Sequence, residues 1–378
     1  MVKKVLSMTI LIFAGFMVVM IAAGVLFLYL SPEFGQTPTE DQKQVYARSE
    51  NHNGKKFVNQ GEIDMAMSLG KLTKMIRAFI NQVPNTTPNG DIPVEKIDSL
   101  EVVDYEHTKP RLIWFGHSAF LLQIAGQHIL LDPMFGKVPA PHPRLGPKRF
   151  SSQLPIEVEK LPVIDAVIYS HDHYDHLDYG SVRKLKEKVK KFYTPLGVGN
   201  HLKSWGVDPQ NIEELNWWEE VQHQDLKFIC TPAQHFSGRG FSDRASTLWS
   251  SWIIQSDSSN IYFSGDSGYG DHFKEIGEKY GPFDFAMMEC GQYNELWIEI
   301  HMMPEETAQA ALDLNTKLMM PIHWGAFKLA MHTWTDPVER VSKKAEELGI
   351  AMTTPQIGEP IIVGDSTRTA SVEWWNSY

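Results

Sequence analysis

The stretch "IYSHDHYDHLD", from Ile168 to Asp178, sets His171, Asp172, His173, Asp175 and His176 side by side at the end of an apolar run. Imidazoles and carboxylates crowded in this way repel one another and desolvate badly, so something must neutralise them. A divalent cation does so: His and Asp are the nitrogen and oxygen donors that hold zinc at ~2.0–2.2 Å. His171 and His173 follow the apolar segment "DAVIYS", and two positions apart in an extended chain their side chains point the same way. Asp175 and His176 come where the chain turns into the next helix, so the loop offers two pairs of ligands. The bland alternative is a solvated polar loop. Chance weighs against it, because three His and an Asp at these offsets should arise well under roughly once per hundred such chains.

One motif does not complete a catalytic site, so further ligands are expected at other strand ends. "LKFICTPAQHFSG" brings His235 just after an apolar strand, "NIYFSGDSGYG" brings Asp266 among glycines, and "KLMMPIHWGAF" brings His323. Singly, each reads as a structural loop residue. Together they are best explained by one edge of a sandwich on which four strand-terminal positions converge.

The elements that must do this positioning begin near residue 100. "RLIWFG", "FLLQIAG", "HILLD", "DAVIYS", "KKFYT", "LKFICTP", "SWIIQS", "NIYFSG", "FAMMEC" and "LMMPIHW" are short apolar segments with strand character. Helical patterns such as "YGSVRKLKEKVKK" and "PEETAQAALDLNT" lie between them. This mixture predicts an α/β (α+β) layered domain with mixed sheets, since "RLIWFGHSAFLLQIAGQHILLD" reads as a meander.

Upstream, Lys3 and Lys4 precede an uncharged run from Val5 to Leu30. A helix needs ~20 apolar residues to cross a bilayer core, and this run exceeds that. It ends in "LYLSPEFG", a poor cleavage site, so an uncleaved, single-pass signal anchor is expected, with the rest of the chain outside the cytoplasm. "SPEFGQTPTEDQKQ" is a polar linker. In "IDMAMSLGKLTKMIRAFI", Met65, Leu69, Leu72, Ile76 and Phe79 fall at helical spacing, with Lys71, Lys74 and Arg77 between them. Such a basic amphipathic helix either lies on a membrane surface or, as is commoner, docks on its own domain.

The 378 residues carry a formal net charge of -11, which argues against nucleic acid as partner. Cys230 and Cys290 sit in apolar surroundings and read as buried thiols. Oligomeric state is not legible.

The signature "HDHYDH" with the later His, the "GDSG" Asp and the "IHWG" His resembles the metallo-β-lactamase superfamily, whose fold is a four-layer αββα sandwich. Within it, "WFGHSAFLL", "LLDPMFG", "SHDHYDHLDYGSV", "TPAQHFSGR", "GDSGYGDHFKEIGEKYGPFD" and "PIHWGAF" are most similar to the N-acylphosphatidylethanolamine-hydrolysing phospholipase D group, and "NGKKFVNQ" to the lead-in of its bacterial members. The resemblance spans roughly residues 105 to 365 and implies two zinc ions per chain. His171, His173 and His235 would hold one; Asp175, His176 and His323 the second; Asp266 would bridge both. A hydroxide shared by the two ions would attack phosphorus, with Asp175 and Asp266 in catalytic roles. Asp132 and His301 align with polar residues near the cluster, as contacts to substrate or site. Asp132 reads equally as a turn or cap before Pro133, and His301 as a structural hydrogen-bonding group. His117 in "GHSAF" matches too, although a buried, satisfied His is the simpler reading. His52, His107, His128, His142, His201, His223, His272 and His332 have no ligand-like context.

One departure bears on substrate. Where the animal lipases resemble "EPRW", this chain reads "NELWIEI", shorter and acidic, without the Arg. The expectation is therefore a membrane anchor (1–31), a linker and N-terminal extension (32–104) and a zinc-dependent hydrolase domain (105–378). Its substrate would be a phospholipid or another small ester. A lactonase or other ester hydrolase on the same site is the enzymatic alternative; a silent metal-binding scaffold is the third, disfavoured by the complete ligand set.

Overall fold

The computed structural model describes residues 2–63, 68–81, 83–105, 109–365 and 373–378. A seven-stranded sheet runs in the order β13 (Pro360–Ile362), β1 (Arg111–Trp114), β2 (Phe120–Ile124), β3 (Gln127–Leu131), β4 (Ile164–Ile168), β5 (Val189–Pro195) and β6 (Ile212–Leu215). A six-stranded sheet runs β12 (Met319–Ile322), β11 (Phe285–Glu289), β10 (Asn260–Phe263), β9 (Ser251–Gln255), β8 (Leu226–Thr231) and β7 (Glu220–His223). Both are mixed. β1 to β3 form the antiparallel meander, with Phe120 opposite Leu131, and β3 to β6 are parallel. In the second sheet β10 to β12 are parallel and β7 to β10 antiparallel.

Side-chain alternation sets the layers. Phe120, Leu122 and Ile124 of β2, with Trp252 and Ile254 of β9, fill the space between the sheets. Leu121 and Ile253 point the opposite way, into two outer layers. On the seven-stranded sheet that layer is closed by α4 (Ser99–Val103), α5 (Tyr179–Leu185) and α6 (Gly199–Ser204), through Val102, Val182 and Leu202. On the six-stranded sheet it is closed by α7 (His272–Tyr280), α8 (Pro304–Asp313) and α9 (Asp336–Leu348), through Phe273, Ala308 and Val341. The result is the αββα sandwich. Strands covered on both faces favour near-continuous apolar runs, which is why "FLLQI" and "IDAVI", each with one polar residue, do not read as alternations.

The N-terminal part departs more from expectation. Helix α1 (Val2–Leu30) contains a 27-residue stretch long and apolar enough to cross a bilayer, none of it buried against the domain. Residues 32–104 do not hang apart from the sandwich: Tyr46, at the end of α2 (Glu40–Tyr46), Phe57 and Ile92 join the inter-sheet core. Helix α3 (Leu69–Ile80) forms, started by the Ser68 side chain accepting from Lys71 N–H at 3.1 Å. Yet its apolar stripe does not dock on the domain. Leu69 is 82 % exposed and Ile76 48 %, with Leu72 and Ile80 also open to solvent. The helix turns Lys71, Met75 and Ala78 inward instead. Met65 and the Phe79 side chain lie outside the described residues, as does His107.

Candidate metal centre

The C-terminal ends of β3, β4, β8, β10, β11 and β12 reach the same edge of the sandwich, because each runs parallel to its counterparts within its own sheet. Their loops bring together every ligand candidate. Beyond β4 the chain bends at Ser170, passes through His171 and His173 without regular structure and then turns, with the His173 carbonyl accepting from His176 N–H (3.1 Å) and Leu177 N–H (2.8 Å). Asp178 then caps α5, its carboxylate accepting from Ser181 N–H at 2.7 Å. The turn therefore delivers two pairs of candidate ligands to one place, with the His171 and His176 rings 4.2 Å apart.

His171 Nε2 lies 2.9 Å from His173 Nδ1, and His235 Nε2 is 3.2 Å from that same nitrogen. Asp266 Oδ2 stands 3.7 Å from both His171 Nε2 and His235 Nε2. Its other oxygen, Oδ1, faces His323 Nδ1 at 2.9 Å and His176 Nε2 at 3.1 Å. Donor atoms of His171, His173, His235 and Asp266 thus lie within 4.8 Å of one another, as do those of His117, Asp175, His176 and His323. Asp266 is common ground between the two groups.

The electrostatics of this assembly pull its groups in opposite directions. Burial pushes the imidazoles of His171 and His235 well below their usual range, and neighbouring histidines add to the effect. Asp266 is held well below the usual carboxylate range: burial opposes this, but His176 and His323 outweigh it. His176 goes the other way, against its own burial, because Asp266, Asp175 and Asp132 surround it. Despite their closeness, His176 Nε2 and Asp266 Oδ1 are buried without a properly directed hydrogen bond. Buried polar atoms left unpaired are costly, so their persistence here, aimed at a shared space, fits a cation. Imidazole nitrogens and carboxylate oxygens are the donors that zinc and similar divalent ions take.

Around these groups stands a supporting set. Asp132 is fully buried; its carboxylate accepts from Ser170 N–H (2.7 Å) and Ser170 Oγ (2.5 Å) and faces His176 Nδ1 at 2.7 Å, leaving Nε2 for the centre. It therefore does more than cap the turn before Pro133. Ser170 Oγ also meets His171 Nδ1 (2.9 Å), and the Ile300 carbonyl meets His235 Nδ1 (2.9 Å). Orienting partners of this type usually stand behind metal-binding histidines. His117 reaches Asp175 Oδ2 with Nε2 at 2.8 Å. It is buried but not fully satisfied, since its Nδ1 has no partner among the described residues. His117, Asp132 and His323 all have positive φ (57°, 37° and 67°), a concentration of local strain at one place.

Two contributors carried no local signal. Glu289, the last residue of β11, is fully buried and stands 3.2 Å from His301 Nδ1, with burial pushing its carboxyl well up. Asn59 clamps the backbone of His235 through both its amide atoms, at 2.9 and 3.0 Å. Only the lead-in "NGKKFVNQ" hinted at the second. The centre opens into a cavity of about 330 Å³, whose walls include Met75, Phe236, Trp297 and Leu329, with Lys71, Arg244 and His301 also facing it.

A family description, the beta-lactamase superfamily domain, matches residues 127–324. The chain belongs to the metallo-β-lactamase superfamily. An uncharacterized member from Mycobacterium bovis is 37 % identical over 339 residues, 88 % of this chain and 89 % of that protein. The N-acyl-phosphatidylethanolamine-hydrolyzing phospholipase D 1 of Caenorhabditis elegans is 32 % identical over 298 residues, covering 73 % of this chain and 82 % of the worm protein. Among solved structures, the isothiocyanate hydrolase from Delia radicum gut bacteria aligns with a TM-score of 0.53 and 23 % identity, over 66 % of this chain and 98 % of its own. That likeness concerns the fold. As a metallo-β-lactamase superfamily hydrolase, the chain has its candidate donors on both sheets: the β4 loop supplies four of the seven, and the loops after β8, β10 and β12 one each.

Proposed function

We propose that this protein is a membrane-anchored, zinc-dependent phosphodiesterase of the N-acylphosphatidylethanolamine phospholipase D type. The observation that carries it is a pair of donor groups sharing Asp266 at the floor of an apolar-walled cavity with two cationic side chains at its wall. His171, His173 and His235 would hold one ion, Asp175, His176 and His323 the other, with Asp266 available to both. Such a pair supplies an acidified water as nucleophile and positive charge for the phosphoryl oxygens.

The chain does the rest. Asp175, steadied by His117, accepts a hydrogen bond from the attacking water and orients it. Arg244 and Lys71 bring positive charge to the phosphodiester, in place of the Arg that "NELWIEI" lacks. His301, with Nδ1 taken up by Glu289, offers Nε2 to a phosphate oxygen. Met75, Phe236, Trp297 and Leu329 exclude water from the bond to be broken.

Two features favour a bilayer substrate. Helix α1 tethers the site, raising the local concentration of lipid. The stripe of α3 (Leu69, Leu72, Ile76, Ile80) offers an apolar face beside the cavity with Lys74 and Arg77 flanking it, suited to anionic headgroups. With Lys3 and Lys4 inside, residues 105–378 work outside the cytoplasm.

The test is a substrate panel on metal-loaded protein: N-acylated phosphatidylethanolamine, bis(p-nitrophenyl) phosphate and a set of lactones. Hydrolysis of both phosphodiesters is expected. Turnover of lactones alone would replace this reading with that of a lactonase.

A further inference from the structure

We infer that the short stem joining the anchor to the domain, Ser31 to Gln36, is a positioning element of the metal loop. The inference rests on the metal-centre reading above. Backbone atoms of this stem reach two buried side chains, His201 and Arg239, that in turn hold the loop from His171 to His176.

The first relay runs through His201. Gln36 N–H donates to His201 Nδ1 at 3.0 Å, which places the ring proton on Nε2, 3.2 Å from Asp172 Oδ2. Asp172 stands between His171 and His173, and its carboxylate also accepts from Thr247 Oγ1 (2.7 Å) and Gly238 N–H (2.7 Å). His201 and Asp172 are each 1 % exposed, so with the stem in place neither bonds to water instead. Gly35 makes the approach possible: it has φ 66°, and a Cβ there would run into the His201 ring.

The second relay runs through Arg239. Its Nη1 donates to the carbonyls of Asp172 (2.5 Å) and Leu177 (2.8 Å), bracketing the loop at both ends, while its Nε donates to the Glu33 carbonyl at 2.8 Å. Trp205 Nε1 adds a bond to the Pro32 carbonyl at 2.6 Å. The end of α1 is fastened to the same assembly. Phe27 packs on Phe34 with centroids 5.6 Å apart, and Phe34 on Tyr174, a member of the loop, at 6.4 Å.

A stem that only spaced the domain from the bilayer would have its polar groups in solvent. Here its backbone supplies partners to His201 and Arg239, buried groups that in turn hold Asp172, one residue from two ligand histidines. Supporting groups of this kind typically tune metal retention by about 10–100-fold.

The experiment uses full-length protein in detergent, loaded with zinc and challenged with excess chelator, with bound metal counted over time. His201→Gln keeps one acceptor and one donor and is expected to release metal within about threefold of wild type. Gly35→Ala and His201→Phe are expected to release it at least about tenfold faster, with unchanged far-ultraviolet circular dichroism. Their kcat on bis(p-nitrophenyl) phosphate should fall while KM stays. Should His201→Phe not fold, Gly35→Ala decides alone. Wild-type protein that takes up no metal overturns the metal-centre reading itself. Wild-type protein that holds metal, with folded variants releasing it at the same rate, overturns the role of the stem only.

Discussion

Asp266 is the residue on which the two donor groups meet, and its replacement separates mechanism from architecture. Asp266→Asn keeps size and loses the charge; bound metal is expected to fall, and turnover of a phosphodiester to drop by at least about 1,000-fold, in protein with a native circular dichroism spectrum. Asp132 acts one bond further out. Asp132→Asn tolerates the same positive φ but no longer offers His176 a carboxylate, so a loss of about 10–100-fold in metal affinity is expected by competition titration. The contrast also shows what could be read beforehand. His171, His173, Asp175 and His176 declare themselves by spacing. Glu289 ends an apolar strand and looks like its edge, while Asn59, His201 and Arg239 act on residues far away in the chain. A window of sequence holds no trace of such contacts.

At the scale of elements, the central strands were legible because burial on both faces writes long apolar runs. β6, β7 and β13 were not. They lie at sheet edges, and "IEEL" and "EVQH" are polar because an edge half-open to water needs no apolar face. Helix α3 shows the opposite failure: its amphipathic stripe was plain, but periodicity cannot say whether protein or lipid covers it. Replacing Leu69 and Ile76 by Ser is expected to cut hydrolysis of a lipid in anionic vesicles several-fold while sparing a soluble diester, as paired assays would show. Equal losses on both substrates would place α3 on the catalytic side rather than at the membrane. Arg149 is a half-buried tie among the loops. It donates to the carbonyls of Phe115, Met134 and Gly136, and burial pushes its guanidinium down to about 10. Arg149→Met leaves those carbonyls unpaired, and a loss of about 3 kcal/mol is expected in chemical denaturation.

The whole molecule responds to pH through histidines kept neutral. His272, buried with Nε2 3.1 Å from Ser267 Oγ, is pushed down to about 3 by burial, against 6.5 in an open chain. As pH falls through 6.5 the unfolded chain binds a proton that the folded one refuses. This contribution is therefore complete above pH 6.5 and drains away below it, by up to about 1.4 kcal/mol per pH unit until roughly pH 3. His272→Asn should flatten the pH dependence of unfolding by about one proton in that window, measured in urea.

Because four of the seven candidate donors rise from one sheet and three from the other, ions held there would do more than arm a reaction. They would rivet the seam of the sandwich. A freshly made copy starved of metal is expected to open there first, melting earlier and yielding sooner to a protease than its loaded twin. Metal supply would then govern how long each copy survives as well as whether it works.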